Sequence, residues 1–421
     1  MTRFGGMPAD AAPPLLPVED YLDRILGRIE PMQPFEHPLM DAIGLPVAED
    51  VLAPVSLPVF DNSGMDGYAV AFRDVAEATE ERPVHLPVVG EIAAGQTTIF
   101  TLTPGTAVRI MTGAPVPEGC TAVVPFEWAE EVGREVLVRR GPDQGQHIRF
   151  AGEEVQKGDL LMRRGEVIGT RQVGLLAALG LGRVPTSPRP RVVVMSTGSE
   201  LVEPGKPLGR DSIYDANSYL LAAAVRAHGG IAYRVVATSD EPSAFSEALS
   251  DQLVRADLVV TSGGVSKGTH DVVKEVLSEL GTVDFLEVAM QPGKPQGFGL
   301  VGEDQTPIFT LPGNPVSAYV SFEMFVVPAL RKLTGREPVG RSLTTATVTT
   351  PLRSMRGKQQ LVRARVDLDA EGVRVTPVGG AGSHLVAGLA QADALIVLAE
   401  GVTRVDQGDL VPVLLLDRPV G

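Results

Sequence analysis

The sequence predicts a multidomain protein of the α/β plus β class, built around a central parallel sheet. At 421 residues, the chain is longer than one typical domain of roughly 100 to 200 residues, so several hydrophobic cores are expected. Between residues 190 and 338, near-continuous apolar runs alternate with amphipathic segments, a pattern typical of a parallel sheet covered by helices. On both sides of this stretch, short apolar runs broken by Gly, Pro and Asn clusters indicate β structure with many turns.

The chain is predicted to have four parts. They are a helical N-terminal part (residues 1–54 with 156–189), a β-rich part (55–155), an α/β part (190–338) and a C-terminal β part (339–421). In the first part, residues 18–29 are predicted to form an amphipathic helix. A second helix, 171–179, ends before Gly180, and we expect the two helices to pack together. In the last part, residues 369–372 predict a hairpin turn.

The α/β part has four predicted strands and four predicted helices. The strands are 192–195, 231–237, 258–261 and 308–311, and the helices are 217–227, 242–256, 271–280 and 316–333. Because these strands are apolar over their full length, we expect both faces of the sheet to be covered.

Composition and charge exclude several classes of function. The 37 basic and 52 acidic residues give a net charge of −15, which disfavours binding to nucleic acid. The chain has no apolar run of about 18 residues and no signal-peptide pattern, so we expect no membrane segment. Cys120 is the single cysteine and the six histidines form no HExxH pattern, which favours the reducing cytoplasm and argues against zinc.

Two strand ends run into glycine-rich loops that are candidate anion sites. The candidate ligands are Ser262, Gly263, Gly264 and Ser266 in one loop and Pro312, Gly313 and Asn314 in the other. Adjacent glycines let backbone N–H groups approach a phosphate, and open α/β sheets place ligands at the carboxyl ends of their strands. Either loop taken alone also fits a plain tight turn. Neither is a Walker A loop or a GxGxxG fingerprint.

Three carboxylates follow three of the predicted strands. Glu200, Asp240 and Asp271 would converge on one edge of the sheet, where carboxylate and phosphate oxygens together hold Mg²⁺. The alternative for the two aspartates is helix N-capping.

A basic cluster stands out in this acidic chain. Residues 353–365 contain five basic side chains and no acid. On the predicted strand, Arg363 and Arg365 share the face that points away from the local core. A guanidinium group matches a tetrahedral oxyanion well, and the alternative is a solvated β face.

Several long strings make the sequence resemble the molybdopterin molybdenumtransferase family, which includes the E domain of gephyrin. They are FDNSGMDGYAV at 60–70, RIMTGAPVPEG at 109–119, STGSEL at 196–201, TSGGVS at 261–266, LPGNPVS at 311–317 and GSH at 382–384. Together they span nearly the whole chain. Taken alone, the DNSG and DG pieces would look like plain turns.

The resemblance implies an elongated homodimer whose N-terminal part is the dimerisation part and whose C-terminal part is like a β-barrel. The active cleft would lie between the α/β part of one subunit and the β-rich part of its partner. The implied reaction inserts molybdate into adenylylated molybdopterin with release of AMP, forming molybdenum cofactor in a Mg²⁺-dependent transfer. Molybdopterin adenylyltransferase and molybdoenzyme maturation proteins are the implied further partners.

The resemblance also assigns site residues. Positions implicated in cofactor synthesis match Asp66, Thr112, Glu200, Asp240 and Asp271, and positions implicated in holding molybdate or the pterin match Arg363 and Ser383. Some members have lysines where Glu287 and Gln291 stand, so Lys294 is expected to supply the positive charge there. Ser199 replaces an acid found in some relatives, which leaves Glu200 as the local carboxylate.

Two other functions remain as alternatives. An adenylyltransferase or pyrophosphatase-like enzyme shares the α/β domain but lacks the strings at 60–70 and 109–119. A non-catalytic scaffold like gephyrin would be expected to carry a long linker or a further domain before the match. The sequence leaves open the choice between molybdate and tungstate and which carboxylates hold Mg²⁺.

Overall fold

A computed structural model describes residues 15–95, 101–238, 241–265, 272–370 and 372–416. Within these ranges the chain forms a six-stranded β-rich sheet, a six-stranded sheet flanked by helices, and a C-terminal barrel. No helix in the described ranges is both long and apolar enough to span a membrane.

The chain begins with a helix whose apolar stripe is buried. The first elements are α1 (Val18–Leu26), β1 (Phe35–Pro38) and β2 (Val51–Leu52). Helix α1 buries Val18, Tyr21 and Ile25. The Tyr21 ring meets Phe325 of the α/β part edge-on, with 4.9 Å between the ring centroids.

The β-rich part is a six-stranded sheet with a short strand pair beside it. Its elements are β3 (Asn62–Ser63), β4 (Gly67–Val70), α2 (Phe72–Val75), β5 (Val84–Ile92), β6 (Ala107–Ile110), β7 (Ala122–Pro125), a 3₁₀ turn (Phe126–Trp128), β8 (Ala129–Val132), β9 (Glu135–Val138) and β10 (Ile148–Arg149). The strand order is β7-β4-β6-β5-β9-β8, and β10 pairs with β3. Gly67 is required in β4, because a Cβ there would lie 2.1 Å from the Val124 carbonyl oxygen.

The chain then returns to the N-terminal part. The returning elements are β11 (Leu160–Met162), α3 (Thr170–Ala178) and β12 (Arg183–Thr186), and they pair β11 with β2 and β12 with β1. The expected packing of the two helices on each other is wrong. Leu176 of α3 lies in a separate small core with Val47 and Val51. The residues that α1 buries belong to the large core of the α/β part.

The α/β part contains the central sheet. Its elements are β13 (Arg191–Thr197), β14 (Leu201–Val202), β15 (Ile213–Tyr214), α4 (Ala216–Ala227), β16 (Ile231–Thr238), α5 (Pro242–Leu253), β17 (Leu258–Ser262), α6 (Val272–Glu279), β18 (Val283–Glu287), β19 (Met290–Gln291), β20 (Pro295–Val301), β21 (Thr306–Leu311), α7 (Pro315–Ser321), a π-helical turn (Phe322–Val326) and α8 (Val327–Leu333). The sheet order is β16-β13-β17-β21-β20-β18.

The four predicted strands of this sheet are present and run parallel. The other two strands of the sheet, β18 and β20, were not predicted. Strand β20 runs antiparallel to both β21 and β18. Strand β20 carries Gly297 and Gly299, which weaken its apolar pattern. The single helix predicted over 316–333 is interrupted by the π-helical turn, and Pro328 has no N–H to donate to the Met324 carbonyl.

The C-terminal part closes into a barrel, as expected. Its elements are β22 (Leu343–Val348), β23 (Leu352–Arg353), β24 (Gln359–Asp369), β25 (Gly372–Pro377), α9 (Val386–Ala390), β26 (Ala394–Leu398), β27 (Arg404–Val405) and β28 (Leu410–Leu415). The strands run β24-β25-β22-β28-β26, and β26 pairs back with β24. Asp369 faces Gly372 across the predicted hairpin. Leu361 and Leu395 of the barrel belong to the core shared with the α/β part.

Candidate functional site

A pocket of about 360 Å³ opens at the carboxyl edge of the central sheet. The strand ends are in register there, with Ser262 beside Ser196 on one side and beside Leu311 on the other. The pocket is lined by Thr197, Glu200, Leu201, Ile213, Tyr214, Asp215, Ala216, Asn217, Ser262, Gly263, Gly313, Asn314, Pro315 and His384. This edge is where open α/β sheets bind their ligands.

The two glycine loops meet at this pocket. The Gly263 N–H donates to the Leu311 carbonyl at 3.0 Å. A Cβ on Gly313 would lie 3.8 Å from the Gly263 Cα, so the two backbones are in near contact. Gly263 and Gly264 both have positive φ, at 91° and 87°, a conformation that favours glycine. A Cβ on Gly264 would also lie 2.4 Å from the Val273 Cβ.

The predicted loop residues are only partly brought together. Ser262, Gly263, Gly313 and Asn314 line the pocket. Gly264 and Pro312 do not line the pocket themselves, but each is adjacent in sequence to a residue that does. Ser266 lies outside the described residues.

Of the three predicted metal ligands, the structure describes Glu200. Its side chain lines the pocket and folds back over Gly198, where a Cβ would lie 2.5 Å from Glu200 Oε2. Gly198 has a φ of 144° and was missed by the sequence analysis, although its STGSE string pointed to it. Asp240 and Asp271 lie outside the described residues, and among those described no group of three His, Cys, Asp or Glu side chains suits a metal ion.

Two further polar residues of the pocket were also missed. Asp215 is 2% exposed and caps α4 by accepting the Ser218 N–H at 3.0 Å. Asn217 Nδ2 donates to the Gly313 carbonyl at 2.7 Å and so ties α4 to the second glycine loop. The buried Asn217 Oδ1 has no hydrogen-bond partner among the described residues. An aspartate before a helix is typical of an ordinary N-cap, and only the packing of Asp215 marks it as part of the site.

Arg363 does not lie on a solvated face, so for this residue the alternative named in the sequence analysis is wrong. It points away from the barrel interior, as the alternation predicts, but it is only 4% exposed. Its guanidinium donates to the carbonyls of Leu385 at 2.7 Å, Gly382 at 3.2 Å, and Gly380. Burial lowers its pKa. Residues 379–388 cover this face of β24, whereas Arg365, on the same face, is exposed.

The loop held by Arg363 touches the pocket. The Ser383 carbonyl accepts the Val316 N–H at 3.0 Å, and the next residue, His384, lines the pocket. Ser383 therefore lies next to a lining residue, and Arg363 contacts the loop that carries it.

Lys294 is not an isolated positive charge. Its Nζ lies 2.8 Å from Glu287 Oε2. Glu287 faces Pro295 across the β18–β20 pair, and Gly297 faces Thr310 of β21, so the ion pair lies at the same carboxyl edge. Gln291 lies in β19, which pairs with β24 of the barrel.

Asp66 and Thr112 form a second polar site, in the β-rich part. Asp66 Oδ1 accepts the Thr112 N–H at 2.6 Å and the Thr112 hydroxyl at 2.8 Å. The backbone hydrogen bond, followed by that from the hydroxyl, holds the pKa of the Asp66 carboxyl below its usual range. Both residues are exposed, and neither is among the described residues that line the pocket.

Backbone hydrogen bonds fix the loop that carries Asp66. Ser63 N–H donates to the Ala114 carbonyl at 2.9 Å, and Gly64 N–H donates to the His147 carbonyl at 2.8 Å. His147 has a φ of 61°, a left-handed conformation that is uncommon outside glycine. The loop is therefore held between two neighbouring segments and presents a preformed carboxylate.

The chain matches three family models. They are the MoeA N-terminal region (domain I and II) over residues 16–180, the probable molybdopterin binding domain over 193–332 and the MoeA C-terminal region (domain IV) over 345–416.

Curated relatives and solved structures match over nearly the full chain. Molybdopterin molybdenumtransferase 2 of Mycobacterium tuberculosis is 45% identical over 397 residues, covering 93% of this chain and 97% of the relative. Molybdopterin molybdenumtransferase 1 of the same organism is 40% identical over 419 residues, covering 95% and 98%. A crystal structure of the molybdopterin biosynthesis MoeA protein from Pyrococcus horikoshii matches with a TM-score of 0.82 and 33% identity, covering 95% and 99%.

Proposed function

Because the chain belongs to the MoeA family of molybdopterin molybdenumtransferases and its role lies in molybdenum cofactor biosynthesis, we propose that it inserts molybdate into adenylylated molybdopterin and releases AMP. The observation that carries this proposal is the pocket at the sheet edge, where two glycine loops and the Glu200 carboxylate meet. A site of this kind suits a ligand with an anionic, phosphorylated end.

The glycine loops would bind the pyrophosphate of the substrate. Gly263 and Gly313 expose backbone at the pocket, and Ser262 adds a hydroxyl. A substrate held by backbone groups is positioned without moving a charged side chain, so the bond that breaks is already aligned. A molybdate oxygen or a water would attack the phosphorus, the pyrophosphate bond would break, and the adenylate would leave as AMP while the dithiolene captures molybdenum.

Glu200 is the described residue that fits a magnesium ion. Glu200 is exposed and lines the same pocket as Ser262, and carboxylate oxygen is the ligand type that Mg²⁺ prefers. A bound Mg²⁺ would neutralise charge on the phosphate oxygens. We keep Asp240 and Asp271 as proposed further ligands because they follow β16 and β17, which end at this edge.

The oxyanion would bind beside the loop that carries Ser383. Arg363 holds this loop through three carbonyls, so its main proposed contribution is to fix the Ser383 hydroxyl and the neighbouring backbone. Lys294 is a further positive charge at this edge, and its pairing with Glu287 would weaken its attraction for an anion. Both molybdate and tungstate fit such a set of donors.

We further propose that a second copy of the chain completes the site. Asp66 and Thr112 form a preorganised, exposed pair outside the pocket. In a homodimer, Asp66 of the partner subunit would face the substrate held at the sheet edge. Mixing an Asp66→Asn protein with a Glu200→Gln protein should then restore activity that neither has alone. Absence of restoration in mixed dimers of verified composition would reject the shared site.

The reaction is tested by reconstitution. Purified protein is incubated with adenylylated molybdopterin, Mg²⁺ and micromolar molybdate, and AMP release is followed. We expect release to depend on molybdate and to be abolished in Glu200→Gln but retained in Glu303→Gln, an exposed acid in the turn after β20. AMP release that ignores molybdate would instead indicate a pyrophosphatase-like enzyme.

A further inference from the structure

The segment that carries Glu200 forms one wall of the pocket. It runs from Gly198 to Asp215, between β13 and α4, and contains the paired strands β14 and β15. The Ile213 N–H donates to the Glu200 carbonyl at 2.9 Å, and the Asp215 N–H donates to the Val202 carbonyl at 3.0 Å. Glu200 therefore moves with this segment, and whatever anchors the segment sets the position of its carboxylate.

The inner anchor of the segment is the buried Asp215 carboxylate. Asp215 Oδ2 accepts the hydroxyls of Ser196 and Ser218, both at 2.6 Å. Ser196 is the next-to-last residue of β13 and Ser218 lies in the first turn of α4, so this carboxylate ties the strand to the helix on either side of the segment. A buried carboxylate with several donors is held firmly, because losing any one of them leaves part of its charge unsatisfied.

The outer anchor is Glu203, just after β14. Arg234 Nη2 lies 2.9 Å from Glu203 Oε1 and 2.6 Å from Oε2, and the Tyr219 hydroxyl donates to Oε1 at 2.5 Å. The Arg234 guanidinium also lies 3.8 Å from the centroid of the Tyr219 ring. The hydrogen bond from Tyr219, and then that from Arg234, holds the pKa of Glu203 below its ordinary value, so this carboxyl stays charged.

Arg234 joins the two anchors. Its Nε donates to Ser218 Oγ at 2.7 Å, and the same hydroxyl donates to Asp215. A continuous path of hydrogen bonds thus runs from Glu203, through Arg234 and Ser218, to the pocket wall at Asp215. Arg234 lies on β16, and neither it nor Glu203 is among the described residues that line the pocket.

We propose that Arg234, acting with Glu203 and Tyr219, is a positioning residue that holds the 198–215 segment and thereby sets the place of Glu200 in the pocket. This inference rests on the proposed function for its effect on rate, but not for its effect on the segment. The hydrogen-bond partners of Arg234 are Ser218 and Glu203, and neither is a predicted substrate-binding residue. Its role is to keep one arrangement of the wall, which matters because small displacements of a reacting group lower rates strongly.

The test compares Arg234→Gln with a matched ion pair at the other end of the sheet. Arg191 Nη2 lies 2.8 Å from Asp257 Oδ1 and its Nε lies 3.0 Å from Oδ2, at the amino end of β13. Arg191→Gln therefore removes a comparable two-point contact from the same sheet without touching the 198–215 segment.

The first readout is hydrogen exchange, which does not depend on activity. We expect Arg234→Gln and Glu203→Gln each to raise amide exchange within 198–215, whereas Arg191→Gln leaves it unchanged. The double variant Arg234→Gln with Glu203→Gln should raise exchange by less than the sum of the two single variants, because both remove the Arg234–Glu203 contact. Unchanged exchange in both single variants would overturn the proposal whatever the protein catalyses.

The second readout separates rate from binding. In AMP release, Arg234→Gln should lower kcat by about tenfold while the Kd for adenylylated molybdopterin changes less than about threefold. Arg234→Lys keeps the charge but cannot bond Glu203 and Ser218 at the same time, so its kcat should lie between those of Arg234→Gln and the wild type. Exchanging the pair, Glu203→Arg with Arg234→Glu, should recover part of the rate. A kcat for Arg234→Gln equal to that of Arg191→Gln would overturn the positioning role, whereas a wild-type protein that releases no AMP would reject the proposed function alone.

Discussion

Lys294 and Glu287 form an ion pair at the carboxyl edge of the central sheet, with Nζ 2.8 Å from Oε2. Both side chains are about one third exposed, at 36% and 34%. Lys294, the residue that the sequence analysis expected to supply positive charge here, is therefore paired with a carboxylate. Glu287 compensates part of the charge of Lys294, and the effect of the pairing can be tested directly.

Glu287→Gln should strengthen the binding of the anionic substrate. The substitution leaves Lys294 with its full charge facing the edge, and we expect the Kd for adenylylated molybdopterin to fall by about threefold, the scale of a partly exposed ion pair. The effect should weaken as salt is added. Glu303→Gln serves as the control, because it removes one negative charge elsewhere. An equal change in both variants would mean that only net charge matters.

Arg363→Ala should destabilise the C-terminal part. The carbonyls of Gly380, Gly382 and Leu385 lose the donor of three partly buried hydrogen bonds, and a typical hydrogen bond contributes about 0.5–1.5 kcal/mol to stability. We expect a clear drop in Tm and faster proteolysis of the 379–388 loop. Arg365→Ala is the matched control, because Arg365 is exposed on the same strand face. If both variants melt alike, Arg363 does not hold the loop.

Thr112→Val should raise the pKa of Asp66 towards the ordinary value of an aspartate. It removes the hydroxyl donor at 2.8 Å but keeps the backbone donor at 2.6 Å, so the recovery is expected to be partial. Carboxyl-carbon NMR titration of Asp66 measures it, and Thr112→Ser, which keeps the hydroxyl, should titrate like the wild type. A Thr112→Val curve that coincides with the wild type would show that the hydroxyl contributes nothing.

Glu323→Gln should destabilise the protein most near neutral pH. Glu323 is buried, with its carboxylate 3.2 Å from His228 Nε2 and in contact with Arg341. Burial by itself raises the pKa of Glu323, but the hydrogen bond to His228 and the charge of Arg341 outweigh it and hold the pKa below its ordinary value. Removing the carboxylate leaves Arg341 without its counter-charge, which costs about 3 kcal/mol.

The pH dependence follows from the direction of that shift. A carboxyl with a lowered pKa in the folded state stabilises the protein above the ordinary glutamate pKa, and this stabilisation is lost as the pH falls through the lower, folded value. The difference in unfolding free energy between wild type and Glu323→Gln should therefore shrink on acidification. Glu303→Gln should show no such trend, and a difference that stays constant with pH would contradict the assigned charge state.

The sequence determined the elements whose pattern is local. Apolar runs located β13, β16, β17 and β21, and turn residues located the hairpin at 369–372. Because strands followed by loops must end at one edge of a parallel sheet, the sequence also brought Ser262, Gly263, Gly313 and Glu200 to one place. Strand β20 was not predicted because Gly297 and Gly299 interrupt the apolar pattern that indicates a strand.

The tertiary structure decided what covers each face and which charges meet. Alternation placed Arg363 on the outer face of β24, but only the packing of residues 379–388 made that face buried. Helix α1 packs on the α/β part, and the Lys294–Glu287 ion pair lies at the sheet edge. The hydrogen bonds from Glu203 to Asp215 pass through Arg234 on another strand. None of these contacts follows from the local sequence pattern. Periodicity records whether a side chain faces its own core, and it carries no information about which remote segment packs on the other side; that choice depends on contacts made only when the whole chain has folded.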